Sequence, residues 1–135
     1  MDQSLRLLVR RRAGDLCEYC RLPQASSRYV SFHTEHIIAQ QHGGPTNADN
    51  LALACGYCNH HKGPNIAGLD PETGQLVPLF HPRRGQWADH FSWDDVYVVG
   101  QTAVGRTTVA LLGMNNWQRV ELRENLRRQG ESFAG

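Results

Sequence analysis

Four cysteines fall into two pairs, and each pair has the spacing of ligands to one metal ion. Cys17 and Cys20 form the first C-x2-C pair, and Cys55 and Cys58 form the second after an intervening segment of 34 residues. Four thiolates around one tetrahedral Zn²⁺ make a closed structural site. We therefore predict a structural zinc site. The alternatives are four unrelated buried cysteines or a redox thiol protein, although a thioredoxin-like pair requires a βαβ context that is absent here.

The residues that follow the second cysteine pair offer donors of a different kind. The stretch Cys-Gly-Tyr-Cys-Asn-His-His-Lys ends in an amide, two imidazoles and the only lysine of the chain. On a helix that begins near Cys58, Asn59 and Lys62 share a face, whereas His61 lies about 200° from Asn59. An oxygen ligand beside a cationic donor suits a hard metal ion and a polyanion. We therefore expect two metal sites, one closed by thiolates and one open.

Four short motifs run from the end of a predicted strand into this helix. They are Glu35-His36-Ile-Ile, Gly43-Gly44, Asn50-Leu51 and Cys55-x-x-Cys58-Asn59-x-x-Lys62. In this order and spacing they resemble the HNH endonucleases, which have a ββα-metal core. Residues 65–74, 79–83, 87–91 and 105–109 are similar to a bacterial subgroup of small stand-alone HNH proteins. The chain departs from the family pattern at Ala39, where proline is common, and at His81, where asparagine is usual.

The resemblance implies roles for residues between and after the cysteine pairs. His36 would be the general base, because a neutral imidazole can take a proton from water. Asn50 would support the loop through side-chain hydrogen bonds and so hold His36 in place. Glu35 and Asn59 would hold one catalytic divalent ion, Mg²⁺ or Mn²⁺, with Ni²⁺ or Zn²⁺ as further options. Because adjacent residues of a regular strand face opposite ways, the strand must end or twist at Glu35 and His36.

Two helix residues would contact the substrate under the same resemblance. Lys62 is expected to contact phosphate, with packing of its stem as the alternative. His61 is expected either to contact phosphate, to complete the metal shell, or to lie on the helix surface. The implied activity is metal-dependent hydrolysis of phosphodiester bonds in DNA with weak sequence specificity, and RNA remains open as a substrate. The alternative is a zinc-ribbon module that binds nucleic acid without cleaving it.

Length and composition set the frame for these residues. The 135 residues indicate one domain, residues 1–135, with a formal net charge of +1 and arginine as thirteen of the fourteen cationic residues. Arginine is the better bidentate partner for phosphate. The first residues contain no apolar signal segment, and no run of about 18 apolar residues occurs. We therefore expect a soluble, cytoplasmic protein without a membrane partner. In a reducing compartment, paired cysteines favour metal binding over disulfide formation. The oligomeric state is left open.

These residues require an α+β scaffold with a ββα core held by zinc at about residues 15–64. Leu5, Leu8, Val9 and Arg12 have helical spacing, and Gly14 is a natural helix end. Residues 29–38 are rich in β-branched and aromatic side chains, which predicts a strand. A loop over residues 39–50, a strand over residues 51–54 and a helix that begins within residues 56–59 complete the core.

The C-terminal extension, about residues 65–130, is predicted to cover this core. Residues 76–79, 96–99 and 107–112 are predicted as strands, and a last helix is predicted from a cap at Asn115 through Gln129, with Gly130 as its stop. On that helix Leu122 and Leu126 would face the core. Three arginines would form a solvated basic stripe and a candidate DNA contact, namely Arg119, Arg123 and Arg127. Packing rather than base stacking is expected for Trp87, His90, Phe91 and Trp93.

Overall fold

The fold combines five α-helices with three antiparallel two-stranded sheets, in a computed structural model that describes residues 1–26 and 28–131. The helices are α1 Gln3–Ala13, α2 Gly56–Lys62, α3 Trp87–His90, α4 Ala103–Leu111 and α5 Trp117–Arg128. The strands are β1 Phe32–His36, β2 Leu51–Cys55, β3 Ala67–Leu69, β4 Leu76–Pro78, β5 Phe91–Asp94 and β6 Tyr97–Gly100. The predicted α+β class is confirmed. Within these described ranges, no helix has the length and apolar character that a membrane span requires.

The predicted ββα arrangement is formed by β1, β2 and α2. β1 pairs with β2 so that Phe32 lies opposite Cys55 and His36 opposite Leu51. Every residue of β2 is buried, and α2 starts directly after it. β1 is shorter than the predicted strand over residues 29–38, because Tyr29 lies in an exposed turn and Asn50 binds the backbone of Ile38 beyond the other end.

The N-terminal helix packs on the core strand as its sequence pattern predicts. Val9 is buried in one cluster with Leu51 and Leu53 of β2. Gly14 ends α1 in the left-handed region at φ 63°, which favours glycine. The guanidinium of Arg12 donates to the backbone oxygens of Ala48 at 2.9 Å and Leu51 at 2.8 Å. Arg12, the last residue of the Arg10-Arg11-Arg12 run, therefore anchors α1 to the core.

The strand predicted over residues 107–112 is wrong, because this segment lies in α4 and the turn after it. The β-branched residues Thr107, Thr108 and Val109 favour a strand by local propensity. Two hydroxyl contacts favour the helix instead: Thr102 caps it by accepting from Gly105 N at 3.0 Å, and Thr108 donates to Val104 O at 2.7 Å. These bonds, together with the packing of α4 against β6, stabilise a helix where the local propensity favours a strand.

The last helix begins one residue later than predicted. Its N-cap is Asn116, which makes no side-chain capping bond, and α5 ends at Arg128 shortly before Gly130. The side chain of Asn115 binds β6 instead. Its Oδ1 accepts from Val98 N at 2.9 Å, and its Nδ2 donates to Val98 O at 2.8 Å. The strands predicted over residues 76–79 and 96–99 overlap β4 and β6, respectively.

The solvated arginine stripe predicted on α5 is wrong for two of its three members. Arg119 and Arg123 are fully buried, whereas Arg127 is exposed and pairs with Asp95. Leu126 is buried and Leu122 packs against the core, as predicted. The inward face of α5 is therefore wider than the leucine pattern indicates, and it includes two cations.

Aromatic packing joins the C-terminal segment to the first cysteine pair. Trp87 stacks on Phe91 with ring centroids 5.0 Å apart, and its Nε1 donates to Tyr19 O at 2.7 Å. Arg83 pairs with the buried carboxylate of Glu18, which also accepts from Leu53 N at 2.8 Å. The predicted packing role of these aromatic residues and the covering role of this segment agree with these contacts.

Candidate functional site

The four cysteines form one buried cluster, as predicted. The sulfur atoms of Cys17, Cys20, Cys55 and Cys58 all lie within 4.8 Å of one another, and those of Cys20 and Cys55 are 3.6 Å apart. In a tetrahedral zinc site with bonds of about 2.3 Å, the sulfurs are about 3.8 Å apart. The donor set and its spacing therefore fit a structural zinc ion.

The local backbone prepares these sulfurs to act as thiolates. Cys20 N donates to Cys17 Sγ at 3.5 Å, and Cys58 N donates to Cys55 Sγ at 3.4 Å. Hydrogen bonds from the neighbouring cysteines, Cys17 first, lower the pKa of Cys20, whereas burial raises the pKa of Cys58. Four buried thiolates repel one another, so a cation among them is needed for all four to ionise.

A second potential site lies where β1 ends beside α2. A cleft of about 340 Å³ opens there, and three of the predicted residues line it: Glu35, His36 and Asn59. The structure thus brings together an acidic side chain, an imidazole and an amide from two elements. Their catalytic and metal-binding roles stay predictions.

His36 is held by the loop that follows β1. It is the last residue of that strand, it is half-buried, and its Nε2 lies 2.8 Å from Thr46 Oγ1. Gln40 donates to the same hydroxyl at 3.3 Å. When Nε2 carries the ring proton and donates to Thr46, Nδ1 keeps its lone pair free to accept a proton. Thr46 therefore orients the ring, and its hydroxyl is compatible with the tautomer that a base requires.

Asn50 makes the loop hydrogen bonds expected of it. It is buried, its Oδ1 accepts from Ile38 N at 2.9 Å, and its Nδ2 donates to Ile38 O and Pro45 O, each at 2.9 Å. Its own backbone oxygen accepts from Ile37 N at 2.8 Å. Gly44 lies so close to the backbone of Ile38 that a Cβ at this position would be 1.8 Å from Ile38 O. Asn50 and Gly44 thus fix the two residues after His36.

Glu35 lines the cleft as well, but it is largely buried, at 7% exposure. Its Oε1 accepts the hydroxyl of Tyr19, and its Oε2 lies 3.2 Å from Lys62 Nζ. Burial raises the pKa of Glu35, although Lys62 and Tyr19 act against this shift. Burial and the neighbouring carboxylate also raise the pKa of Tyr19, so its phenol stays a donor. Each carboxylate oxygen has a further lone pair, so Glu35 can take a metal ion without losing either contact.

Lys62 lies in the interior at 1% exposure, rather than on the helix surface. Its ammonium donates to Ile37 O at 2.8 Å and to His36 O at 3.3 Å, and it pairs with Glu35. These three acceptors match the three donors of an ammonium. A phosphate contact by Lys62 would require these bonds to open. In the present arrangement the lysine holds the end of β1 in place.

His61 lies on the exposed side of α2, outside the cleft, with its ring 5.8 Å from that of His60. Burial, together with Arg119 and His60, lowers the pKa of His61. The neutral form that results can accept a hydrogen bond but adds no positive charge for a phosphate. Of its three predicted roles, this position matches that of a helix-surface residue.

Sequence reasoning missed two residues that support the site. Tyr19 lies inside the first cysteine pair, where an aromatic side chain predicts packing and gives no sign of a bond to Glu35. Thr46 follows Gly-Gly-Pro, where a threonine is an ordinary turn residue. Neither partner is near in sequence, so no spacing pattern could have revealed these contacts.

Comparison with known proteins gives one match. The family model for HNH endonuclease matches residues 17–65, which include both cysteine pairs, β1, β2 and α2. No curated protein and no solved structure matches the chain. The match confirms the resemblance for this segment and indicates a nuclease-type function with metal binding. Residues 66–135 lie outside it.

Proposed function

Because residues 17–65 match the HNH endonucleases, we propose that the protein is a metal-dependent endonuclease that hydrolyses phosphodiester bonds of DNA. The observation that carries the proposal is the cleft shared by Glu35, His36 and Asn59. A binding module needs no base beside two oxygen ligands. A hydrolase requires both, because water must lose a proton while negative charge develops on the phosphate and the leaving oxygen.

His36 is proposed as the base that takes this proton at Nδ1. The bond between Nε2 and Thr46 would fix the orientation of the ring. Asn50 and Lys62 would fix the backbone that carries the ring, through Ile37, Ile38 and His36 itself. A positioned general base contributes about a hundred- to ten-thousand-fold in rate. The position of His36 in the lining of the cleft supports this assignment.

Glu35 and Asn59 are proposed to bind one divalent ion in the cleft. A carboxylate and an amide oxygen are hard donors, so the pair fits Mg²⁺ or Mn²⁺ better than a thiophilic metal. When bound, such an ion acts as a Lewis acid that stabilises charge on the phosphate and the leaving oxygen. Burial raises the pKa of Glu35, and Lys62 and Tyr19 oppose this shift and so favour the ionised form that a metal ligand needs.

DNA is proposed as the substrate, bound mainly through its backbone. α1 carries four arginines that are exposed to solvent, namely Arg6, Arg10, Arg11 and Arg12, of which Arg12 also donates to the core. Arginine side chains on a helix surface bind phosphate without reading base edges. The proposed binding therefore has weak sequence preference.

The proposal is tested by incubating supercoiled plasmid with the protein and Mg²⁺, Mn²⁺, Ni²⁺, Zn²⁺ or EDTA. Nicked or linear DNA should appear with Mg²⁺ or Mn²⁺ and not with EDTA, and His36→Ala should abolish the product. A parallel incubation with single-stranded RNA tests the other nucleic acid. Binding without cleavage under every ion would overturn the proposal in favour of a zinc-ribbon binding module.

A further inference from the structure

Two arginines of α5 are buried close to the four-cysteine cluster. Arg119 and Arg123 are one helical turn apart, and both have 0% exposure. A guanidinium keeps its charge in proteins, and a buried charge is unfavourable unless it is paired. Two cations in the core of so small a domain therefore require negative charge nearby.

Carboxylates do not supply that charge. Among residues 1–26 and 28–131, neither guanidinium has a carboxylate oxygen within 4.0 Å, although arginines elsewhere do, such as Arg106 with Asp70 at 2.8 Å. Arg123 donates to Val96 O at 3.0 Å and Met114 O at 2.8 Å. Backbone oxygens satisfy hydrogen-bond donors, but they leave the net charge uncompensated.

The sulfur cluster is the anion within reach. Arg119 Nη1 donates to Cys58 Sγ at 3.1 Å, and its guanidinium also lies over the ring of Tyr57, 5.3 Å from the centroid. The sulfurs of Cys20 and Cys58 also act on Arg123, where they oppose the lowering of its pKa by burial. A zinc ion with four thiolates has a net charge of −2, which equals the charge of two guanidinium groups with opposite sign.

We propose that Arg119 and Arg123 are the charge partners of the zinc–tetrathiolate centre, with Arg119 bound directly to Cys58, and that this pairing docks α5 onto the core. α5 lies outside residues 17–65, which match the nuclease family. The C-terminal segment then helps to retain the structural zinc. This role is separate from the proposed cleavage reaction.

The pairing predicts mutual dependence of metal and helix. Without zinc, the tetrathiolate centre is lost, and both buried cations lose that counter-charge. Without Arg119, the thiolates lose a hydrogen bond and the centre keeps an uncompensated negative charge. Removing a partner that hydrogen-bonds to a metal ligand weakens metal affinity by about 10- to 100-fold. Zinc should therefore leave the variant protein faster.

The test compares zinc release from Arg119→Met, Arg119→Lys and Arg127→Met. Methionine removes the charge at similar length, lysine keeps the charge without the planar donor, and Arg127 is the exposed control on the same helix. Release into excess chelator is followed with a colorimetric zinc indicator. We expect release about tenfold faster or more for Arg119→Met, an intermediate rate for Arg119→Lys, and the wild-type rate for Arg127→Met.

A second readout covers the case in which Arg119→Met does not fold. Cobalt(II) is substituted for zinc in the wild type, in Arg119→Lys and in Arg127→Met, and the sulfur-to-cobalt charge-transfer band is recorded. Because a hydrogen bond to a thiolate withdraws electron density, the band should shift in Arg119→Lys and stay in place in Arg127→Met. An unshifted band together with wild-type zinc release in Arg119→Lys would overturn the proposal. Neither measurement depends on DNA cleavage, so failure here is distinct from failure of the nuclease proposal.

Discussion

Lys62→Met separates the structural role of this lysine from the substrate contact that its sequence position predicts. Methionine keeps most of the aliphatic stem but removes the ammonium. The variant therefore leaves Glu35 ionised, buried and without its cation, and it frees the carbonyl oxygens of His36 and Ile37. If the ammonium holds the end of β1, stability must fall. If it contacts phosphate, stability is kept and DNA affinity falls.

The magnitude follows from the geometry of the pair. Opposite charges 3.2 Å apart attract by about 5 kcal/mol at an effective dielectric constant of about 20. Removing one partner of a buried ion pair destabilises proteins by about 3–5 kcal/mol. Total stability of a domain is about 5–15 kcal/mol. We therefore expect Lys62→Met to lower the free energy of unfolding of the zinc-loaded protein by about 3–5 kcal/mol.

The loss should depend on pH in one direction. A carboxyl group whose pKa is raised on folding binds its proton more tightly in the folded state, so deprotonation destabilises the fold. Burial already raises the pKa of Glu35, and removal of Lys62 raises it further. The penalty should therefore be small at the lowest pH that retains zinc and should grow as pH rises. In Glu35→Gln/Lys62→Met, which lacks both charges, this pH dependence should disappear and part of the stability should return.

The assay is urea unfolding of zinc-loaded protein at about pH 6 and about pH 8, together with DNA affinity of the folded variants. Arg128→Met, which removes an exposed cation at the end of α5, is the matched control for a simple change in net charge. A loss of less than about 1 kcal/mol in Lys62→Met, the range of a surface ion pair, would refute the structural role. A loss of DNA affinity larger than that of Arg128→Met, with stability intact, would assign Lys62 to the substrate.

Three further predictions concern the cleft. His36→Ala should lower the cleavage rate about a hundred- to ten-thousand-fold at every metal concentration, whereas excess Mn²⁺ should partly restore Asn59→Ala; a metal titration of the rate, with thermal melts as folding control, distinguishes them. Thr46→Val should lower the rate and change its pH profile because the ring loses the hydrogen bond that orients it, and Thr46→Ser should recover both; equal rates for wild type and Thr46→Val would remove Thr46 from the mechanism. The logarithm of DNA affinity should fall linearly with the logarithm of salt concentration, by roughly one unit per phosphate neutralised; a single discrete cut on long random DNA would contradict the weak sequence preference.

The core of the fold could be predicted because its signals are local. Two C-x2-C pairs indicate a metal cluster by their spacing alone. The cluster in turn determines where β2 ends and α2 begins. The hydrogen bonds of Asn50 were also predictable, since an asparagine between a glycine-rich loop and an apolar strand usually binds nearby backbone.

The rest depends on partners that are distant in sequence. Arg119, Arg123 and Arg127 have the spacing of a solvated helix face, and only the position of the sulfur cluster makes two of them interior residues. In the same way, Thr107 and Thr108 favour a strand until the packing of α4 decides otherwise. Lys62 is predicted to contact phosphate, with packing of its stem as the alternative, and its buried pairing with Glu35 has no signal near in sequence.

The hydroxyl bond from Tyr19 to Glu35 links the four-cysteine cluster to the proposed divalent-ion site through one side chain. Tyr19 stands between the zinc ligands Cys17 and Cys20, so the order of the first knuckle determines where its hydroxyl points. If zinc binding improves the affinity of the cleft for a divalent ion by some factor, thermodynamic linkage requires that ion to improve zinc retention by the same factor. The two sites then act as one cooperative unit, in which magnesium in the cleft would slow the loss of zinc from a centre it never touches.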